Sequence, residues 1–520
     1  MRTIRRAGPK EWAGLAVLSL PTALLGLDVT LLYLVLPSLT TDLRPTGTQA
    51  LWIMDAYGFL IAGFLITMGT LGDRIGRRRL LMIGAAAFGA VSVLAAYSVS
   101  AEMLIAARAA LGVAGATLMP STLALISNMF TDARQRALAI GVWATMFSLG
   151  MAAGPVVGGA LLEHFWWGSS FLIAVPVSGL LLITAPFLVP EYRAPRSGRF
   201  DLPSVALSLA AILPVIYGIK EAAKDGLTTQ PGLALLGGAA FAVIFVRRQL
   251  HLPNPLLDVR LFAGRALSAA LSVLLVGLVG VGGVMLLVTQ YLQLVKELPP
   301  LTAGAWMGPP ALMMFAAAIG APLVARRIRP GYVMAGTLAV STVGYLLLTQ
   351  VEISSGPGLA VAGFSLVYFG LGAIAALGTD LVVGASPPAK AGSASAMSEM
   401  VQELGLALGV ATLGSLAGAV YRARIDDRIP AGVPAEIVTA TRDSLSGASS
   451  VASRLPDGLL EQAKDAFLSG LHLAAFAGAV CIAILAALSA IALRDVGTAE
   501  SEEPQAKDRT PTPDPATNAT

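Results

Sequence analysis

The residues of this 520-residue chain best able to do chemistry are charges set inside apolar surroundings. Asp28 lies within an apolar run from about Trp12 to Pro37. It is about nine residues before Pro37, so roughly 13 Å from that end at the helical rise of ~1.5 Å per residue. A run of that length can cross a bilayer, which takes roughly 20 apolar residues. A carboxylate at such depth costs at least ~2.5–3.5 kcal/mol and therefore faces a bundle interior or a wet cavity. It either marks an ion or substrate path or is a structural acid satisfied by neighbouring helices. Arg108 poses the same problem with the opposite sign, and needs a partner carboxylate or a wet cavity. Glu399 and Glu403 are four residues apart and would share a helix face. Two like charges on one embedded face oppose joint ionisation. Glu403 is the stronger candidate of the two, because Glu399 falls near an end of its run. Asp55, near the end of the second run, reads as a substrate-attracting acid or as an ordinary interface residue. Asp380 is a weaker candidate, close to a loop. Burial penalises the charged form of an acid. An embedded carboxyl can thus hold a proton and give it up when a cation arrives, which is ion-exchange chemistry rather than bond making.

The elements that must position these charges are transmembrane helices. The chain is 56% apolar and only 13% charged, with mean hydropathy +0.75, against about 25% charged for a soluble domain. The fold class expected is an all-α polytopic membrane protein. Fourteen apolar runs can be marked between about Trp12 and Leu493, and the first is too long for the core of a signal peptide. An even number places both termini on one side. Arg74, Arg77, Arg78, Arg79, Arg134, Arg136, Arg193, Arg196, Arg199, Arg247 and Arg248 fall in short loops of one side, while Arg44, Lys220, Lys224 and Lys296 fall on the other. Positive loops face the cytoplasm, so both termini are predicted to be cytoplasmic.

This predicts a basic arm over 1–11, a six-helix half over 12–189, two further helices with linkers over 190–265, and a second six-helix half over 266–493. A polar stretch over 422–465 is expected to form an external cap, and the tail over 494–520, rich in Glu, Pro and Thr, to be disordered. No basic patch with interleaved aromatics points to nucleic acid. Cys481 can make no intramolecular disulfide, and His164, His251 and His472 have no metal-ligand spacing. No cofactor is expected.

Two further stretches have ordered spacing. Gly69, Gly72, Asp73, Arg74, Gly76, Arg77 and Arg78 occupy the loop after the second run. Its glycines permit a tight turn and close helix approach. Asp73 can pair with the arginines or cap the following helix at its positive end. In the fifth run Gly150, Gly154 and Gly158 recur at fours, a spacing that lets two helices approach closely, while Pro155 can kink the helix. Gly159 follows. This is packing chemistry.

The Gly69–Arg79 loop resembles the signature of the major facilitator superfamily. Leu27-Asp28-Val29-Thr30 with Leu36-Pro37 resembles the first-span motif of its fourteen-span drug:proton antiporters. Leu104 through Gly115 is similar to the fourth-span motif, with Leu111 where a glutamine is usual, and Gly150 through Gly159 to the fifth-span antiporter motif. Trp52 through Asp55 and Glu399 through Gly405 add to the likeness. The resemblance covers nearly the whole chain.

It implies a major facilitator fold of fourteen helices arranged as six, two and six. It also implies a proton-coupled antiporter of lipophilic, often cationic compounds, in the plasma membrane and monomeric. Asp28, Asp55, Arg108, Glu399 and Glu403 would serve proton coupling and substrate binding, the loop would gate, and the fifth-span motif would limit leakage. Arg108 reads as proton-relay support or as an anchor for helix-end carbonyls. One member of the branch carries an acid in its tenth span, where this chain reads Ala311-Leu312-Met313-Met314-Phe315, which puts a preference for bulky dications in doubt. A dedicated exporter of one antibiotic or metabolite is the alternative, and a proton-driven uptake symporter comes behind it. The chain has no phosphate loop, no His-Glu-x-x-His and no Gly-x-Ser-x-Gly, so an enzyme is not expected.

Overall fold

The computed structural model describes residues 7–130, 132–193, 201–226, 228–252, 255, 265–384, 391–430 and 432–493. Residues 1–6 of the basic arm, the tail over 494–520, and the loop cations Arg196, Arg199 and Lys390 lie outside these. Among the described residues, fourteen helices are long and apolar enough to cross a membrane.

The first seven helices are α1 (Pro9–Leu43), α2 (Gly47–Ile75), α3 (Arg77–Ala96), α4 (Ala101–Met129), α5 (Ala133–His164), the short α6 (Ser169–Leu172) and α7 (Ala174–Leu188). Local chemistry sets their ends. Gly8 N–H donates to Glu11, three residues on, at the start of α1. Thr46 and Gln49 form a reciprocal capping box at the start of α2, and Ser100 and Asp132 accept from Met103 and Gln135 at the starts of α4 and α5. Between α2 and α3 there is only Gly76, at φ +114, a left-handed conformation that favours glycine.

α8 (Leu202–Asp225) and α9 (Thr229–His251) pack on each other as a hairpin. At one end Arg248 reaches Asp201 at 2.8 Å, and Gln249 donates to Ser204 at 2.7 Å. α8 extends beyond the predicted end of its apolar run near Ile219, so Lys220 lies within the helix and not in a loop.

The remaining helices are α10 (Arg265–Gln290), α11 (Pro300–Trp306), α12 (Gly308–Ala325), α13 (Pro330–Leu348), α14 (Pro357–Gly384), α15 (Ala391–Gly409), α16 (Ser415–Ile425), α17 (Ala435–Asp443), α18 (Leu445–Ser450) and α19 (Leu459–Ala492). Wider π turns at Tyr291–Val295 and Val410–Gly414 interrupt the spans that begin with α10 and α15.

Packing sorts the spans into groups. α1 packs on α5 and α7, α2 on α4, and α3 on α4 and α7; α12 and α13 pack on α14, and α19 on α13, with α10 against α14, α15 and α19. The α8–α9 hairpin docks through α8 on α2 and α16. The two large groups meet where α5 touches α11, α2 touches α15 and α1 touches α10. Side chains such as Ile83, Leu94, Ile183, Phe187, Leu236 and Ile491 point outward and are exposed, as helices bathed in lipid require.

The stretch over 422–465 is largely helical. α16 runs on into it, and α17 and α18 fold back over the α1–α2 turn. Tyr421 Oη donates to Thr441 O at 2.7 Å, and Gly47 N–H donates to the Asp443 carboxylate.

Candidate functional site

The glycine stripe of α5 is what places Asp28. A methyl group added at Gly150 would overlap Ala23 O, and at Gly154 it would overlap Thr30 Oγ1. Thr30 Oγ1 donates to Met151 O at 2.8 Å. The helices therefore meet backbone to backbone along the segment that carries Asp28. The same motif has a second face. Gly159 sits against Pro300 O, and Gly304 of α11 sits against Pro155 O, so α5 is clamped between its own half and the other.

Asp28 Oδ2 and Arg108 Nη1 form an ion pair at 2.7 Å, with the arginine side chain 2% exposed and the aspartate 14%. Arg108 Nε donates to Ile53 O at 3.2 Å, and its guanidinium lies 4.5 Å from the Tyr57 ring centroid. Arg108 can come so close because Gly112, one turn on, lets α4 press on α2, where a Cβ would strike Tyr57 O. The pair thus joins α1, α4 and α2, and supplies the partner that each buried charge needs. The usual glutamine of the fourth-span motif is Leu111 here, fully buried in the core.

Glu403 of α15 is buried and lies within Coulomb range of both Asp28 and Arg108. It reaches them across the contact between the halves, where Gly58 of α2 approaches Ala407 Cβ. Glu399, one turn earlier, is only partly buried, beside a cluster in which Thr379, Ser398 and Gln402 exchange hydrogen bonds. Tyr33 and Tyr57 belong to the same polar centre. Tyr33 is within Coulomb range of Asp55, Glu403 and Arg108, and Tyr57 of Asp28, Glu403 and Arg108. Sequence reasoning missed both, because a tyrosine in an apolar span reads as packing. Asp380 is exposed.

Asp55 is also within Coulomb range of Arg108, but its ion-pair partner lies elsewhere. Its Oδ2 lies 2.8 Å from Lys220 Nζ on α8, and both side chains are fully buried. Lys220 Nζ also sits 4.2 Å from the Trp52 ring centroid. Sequence reasoning placed Lys220 in a loop and so missed this pairing.

The glycine- and arginine-rich loop folds as a charge network at one end of the bundle. Asp73 pairs with Arg77 at 2.7 Å, and Arg77 Nη1 donates to Pro120 O at 3.3 Å. Arg78 Nη1 donates to Val189 O at 3.0 Å and to Pro186 O at 3.2 Å, and Arg78 N–H donates to Glu191 Oε1 at 3.0 Å. Gly72 leaves room for the Arg77 side chain, Gly69 faces Pro120, and Arg74 is exposed. Glu191, the acid that accepts from the start of α3, is over a hundred residues away in sequence and carried no local signal.

The loop ties α2, α3, α4 and the end of α7, so neutralising it should matter. If the loop gates transport as its resemblance implies, Asp73→Asn and Arg77→Gln should each slow it roughly tenfold, about 1.4 kcal/mol in barrier. The double variant should be little worse than either single one, because the two side chains share one interaction. Rates in proteoliposomes from all four proteins check this, and additive losses would separate the roles of the two residues.

The sequence matches the Major Facilitator Superfamily over residues 18–410. It is 42% identical to the multidrug efflux pump LfrA of Mycolicibacterium smegmatis, over 94% of this chain and 97% of that protein. It is 34% identical to the methyl viologen resistance protein SmvA of Salmonella typhimurium, over 88% and 93%. Among solved structures, a bacterial homolog of the human lysosomal transporter Spinster, inward-facing and occupied, superimposes with a TM-score of 0.63 at 16% identity, over 94% of this chain and 98% of that one.

Proposed function

We infer that this chain, which belongs to the major facilitator superfamily, works as a proton-coupled antiporter that exports lipophilic, often cationic, drugs or toxic compounds. It is a multi-pass membrane transporter of small molecules and not an enzyme. The observation that carries the site assignment is the Asp28–Arg108 pair with Glu403 in Coulomb range across the junction of the halves. That centre holds two acids and one arginine. It can therefore exchange a proton for an organic cation while staying close to neutral, which burial demands. A cation arriving beside Asp28 or Glu403 favours the ionised acid and expels a proton, and protons from the other side reverse this once the halves have rocked.

The cation bias of the loops supports cytoplasmic termini in a plasma membrane. On that orientation the α5–α11 clamp and the α17–α18 cap are external, and the Asp73–Arg77 network is internal. We read the working unit as a monomer, as the resemblance to the fourteen-span antiporters implies. Asp28, Arg108, Glu399 and Glu403 form the proposed coupling and binding set, and Asp55 joins it through Lys220. The loop residues Gly69, Gly72, Asp73, Arg74, Gly76, Arg77 and Arg78 gate, and Gly150, Gly154, Pro155, Gly158 and Gly159 seal the α1–α5–α11 packing.

The absence of an acid in Ala311–Phe315 favours monocations over bulky dications. Met314 is buried where α12 meets Gly372 of α14, so Met313 is the position at which to restore a charge. The test of function is a susceptibility panel of dyes, quaternary ammonium compounds and antibiotics, in a host stripped of efflux pumps, with and without a protonophore. Broad resistance to lipophilic cations that the protonophore abolishes is the expected result. Resistance to a single antibiotic would favour the dedicated exporter.

A further inference from the structure

Lys220 is an unusual neighbour for Asp55. Its amine ends a four-carbon apolar stalk, lies 2.8 Å from a carboxylate oxygen and sits over an indole ring at 4.2 Å. An acid beside an aromatic face, reached through apolar surroundings, is what a lipophilic organic cation recognises. The lysine makes the contacts such a cation would make. Its surroundings are otherwise poor in partners: among the described residues, neither Asp55 oxygen nor Lys220 Nζ has any hydrogen bond in addition to the ion pair.

The pair also borders space. A cavity beneath α17 and α18 is lined by Leu36, Leu51, Gln290, Tyr421 and Lys220, among others. Asp55 is not part of its wall. Lys220 therefore stands between that cavity and the acid, and withdrawal of its stalk would connect the two. Lys220 belongs to the added α8–α9 hairpin, so its place at Asp55 depends on how that hairpin sits on α2.

We propose that Trp52 and Asp55 form a second subsite for lipophilic monocations, occupied in this conformation by Lys220 as a tethered cation that substrate must displace. Substrate that has bound from the inside takes the acid and the indole, frees the amine, and leaves through the cavity under the cap. The inference rests on the reading of the protein as an exporter of organic cations. It also explains why the hairpin is joined to the core by a charge pair. A buried ion pair adds little stability over a well-packed apolar one, whereas a displaceable charge can be exchanged.

The test uses the full-length protein, purified in detergent at pH 8, with tetraphenylphosphonium as probe. Lys220→Met keeps the stalk and removes the charge, so the probe no longer competes for Asp55. Apparent affinity is reduced by the fraction of protein whose site is vacant, and removing the lysine lifts that reduction. The expected result is a roughly tenfold gain in binding for Lys220→Met, a vacancy of about one in ten in the parent. Asp55→Asn in the same background should cancel the gain.

Should Lys220→Met fail to fold, the unmodified protein supplies the readout. Saturating probe should raise the rate at which an amine acetylating reagent labels Lys220, followed by peptide mass spectrometry. Binding that is indifferent to both substitutions, or labelling that the probe leaves unchanged, overturns the tethered-cation inference while leaving the export reading standing. Failure of every form to bind the probe removes the cation reading and takes this inference with it.

Discussion

Asp28→Asn abolishes uphill export driven by a pH gradient and leaves a folded protein in the membrane. Two parts of that expectation have separate causes. Loss of coupling follows because an amide cannot take up and release the proton that an embedded carboxyl can. Survival of the fold follows from what an asparagine in that place would still offer. Breaking a buried pair by removing one partner costs about 3–5 kcal/mol when the other charge is left bare. Here the asparagine carbonyl can still accept from Arg108 Nη1, Arg108 Nε keeps Ile53 O, and Glu403 remains within Coulomb range of the guanidinium. The partial exposure of Asp28, at 14%, softens the cost further. The measurement is dye accumulation in proteoliposomes with an imposed pH gradient, beside the thermal unfolding midpoint of the purified variant. If the Asp28→Asn protein still drives uphill transport, the acid is structural and Glu403 alone carries the proton.

Asp28 was legible from sequence as a charge without a partner, and the partner was not. The bilayer sets a fixed length for apolar segments, so the runs of the chain are countable, and a lone charge within one stands out because of its cost. Nothing local says that Asp28 meets Arg108, eighty positions on. That pairing depends on α5 glycines seating α1 and on Gly112 drawing α4 against α2, which are facts of helix packing.

Lys220 shows the opposite failure. It follows the last apolar residue of its run, where a long basic side chain ordinarily reaches out to the interface. Its helix instead continues to Asp225 and turns the amine inward to Asp55. Asp55 accordingly reads from sequence as an isolated acid and from structure as half of a sealed pair. Glu191 is a similar case, an acid whose neighbours along the chain say nothing of the α2–α3 turn it serves.

The second large effect is expected at Arg108, whose two readings, relay support and structural anchor, are separable by Arg108→Lys. The arginine uses three features at once: Nη1 toward Asp28, Nε toward Ile53 O, and its flat face toward Tyr57. A lysine keeps the charge but is a single point donor on a flexible stem, without the planar fork. It can stay beside Asp28 or reach Ile53 O, but it cannot hold both while stacking on the ring.

We expect Arg108→Lys to fold, because the charge that compensates Asp28 is retained, and to lose coupled transport by more than about tenfold, or 1.4 kcal/mol in barrier. The reason is that the acid would no longer be held in one position as it exchanges its proton. Facilitated movement down a substrate gradient, with no pH gradient imposed, should survive better than uphill movement, because it does not require the proton to be counted. Coupled transport at the parent rate would mean that Arg108 supplies charge alone. A fall in the unfolding midpoint that accompanies equal losses of downhill and uphill transport would make it an anchor, since an anchor acts on the whole bundle and not on the exchange of one proton.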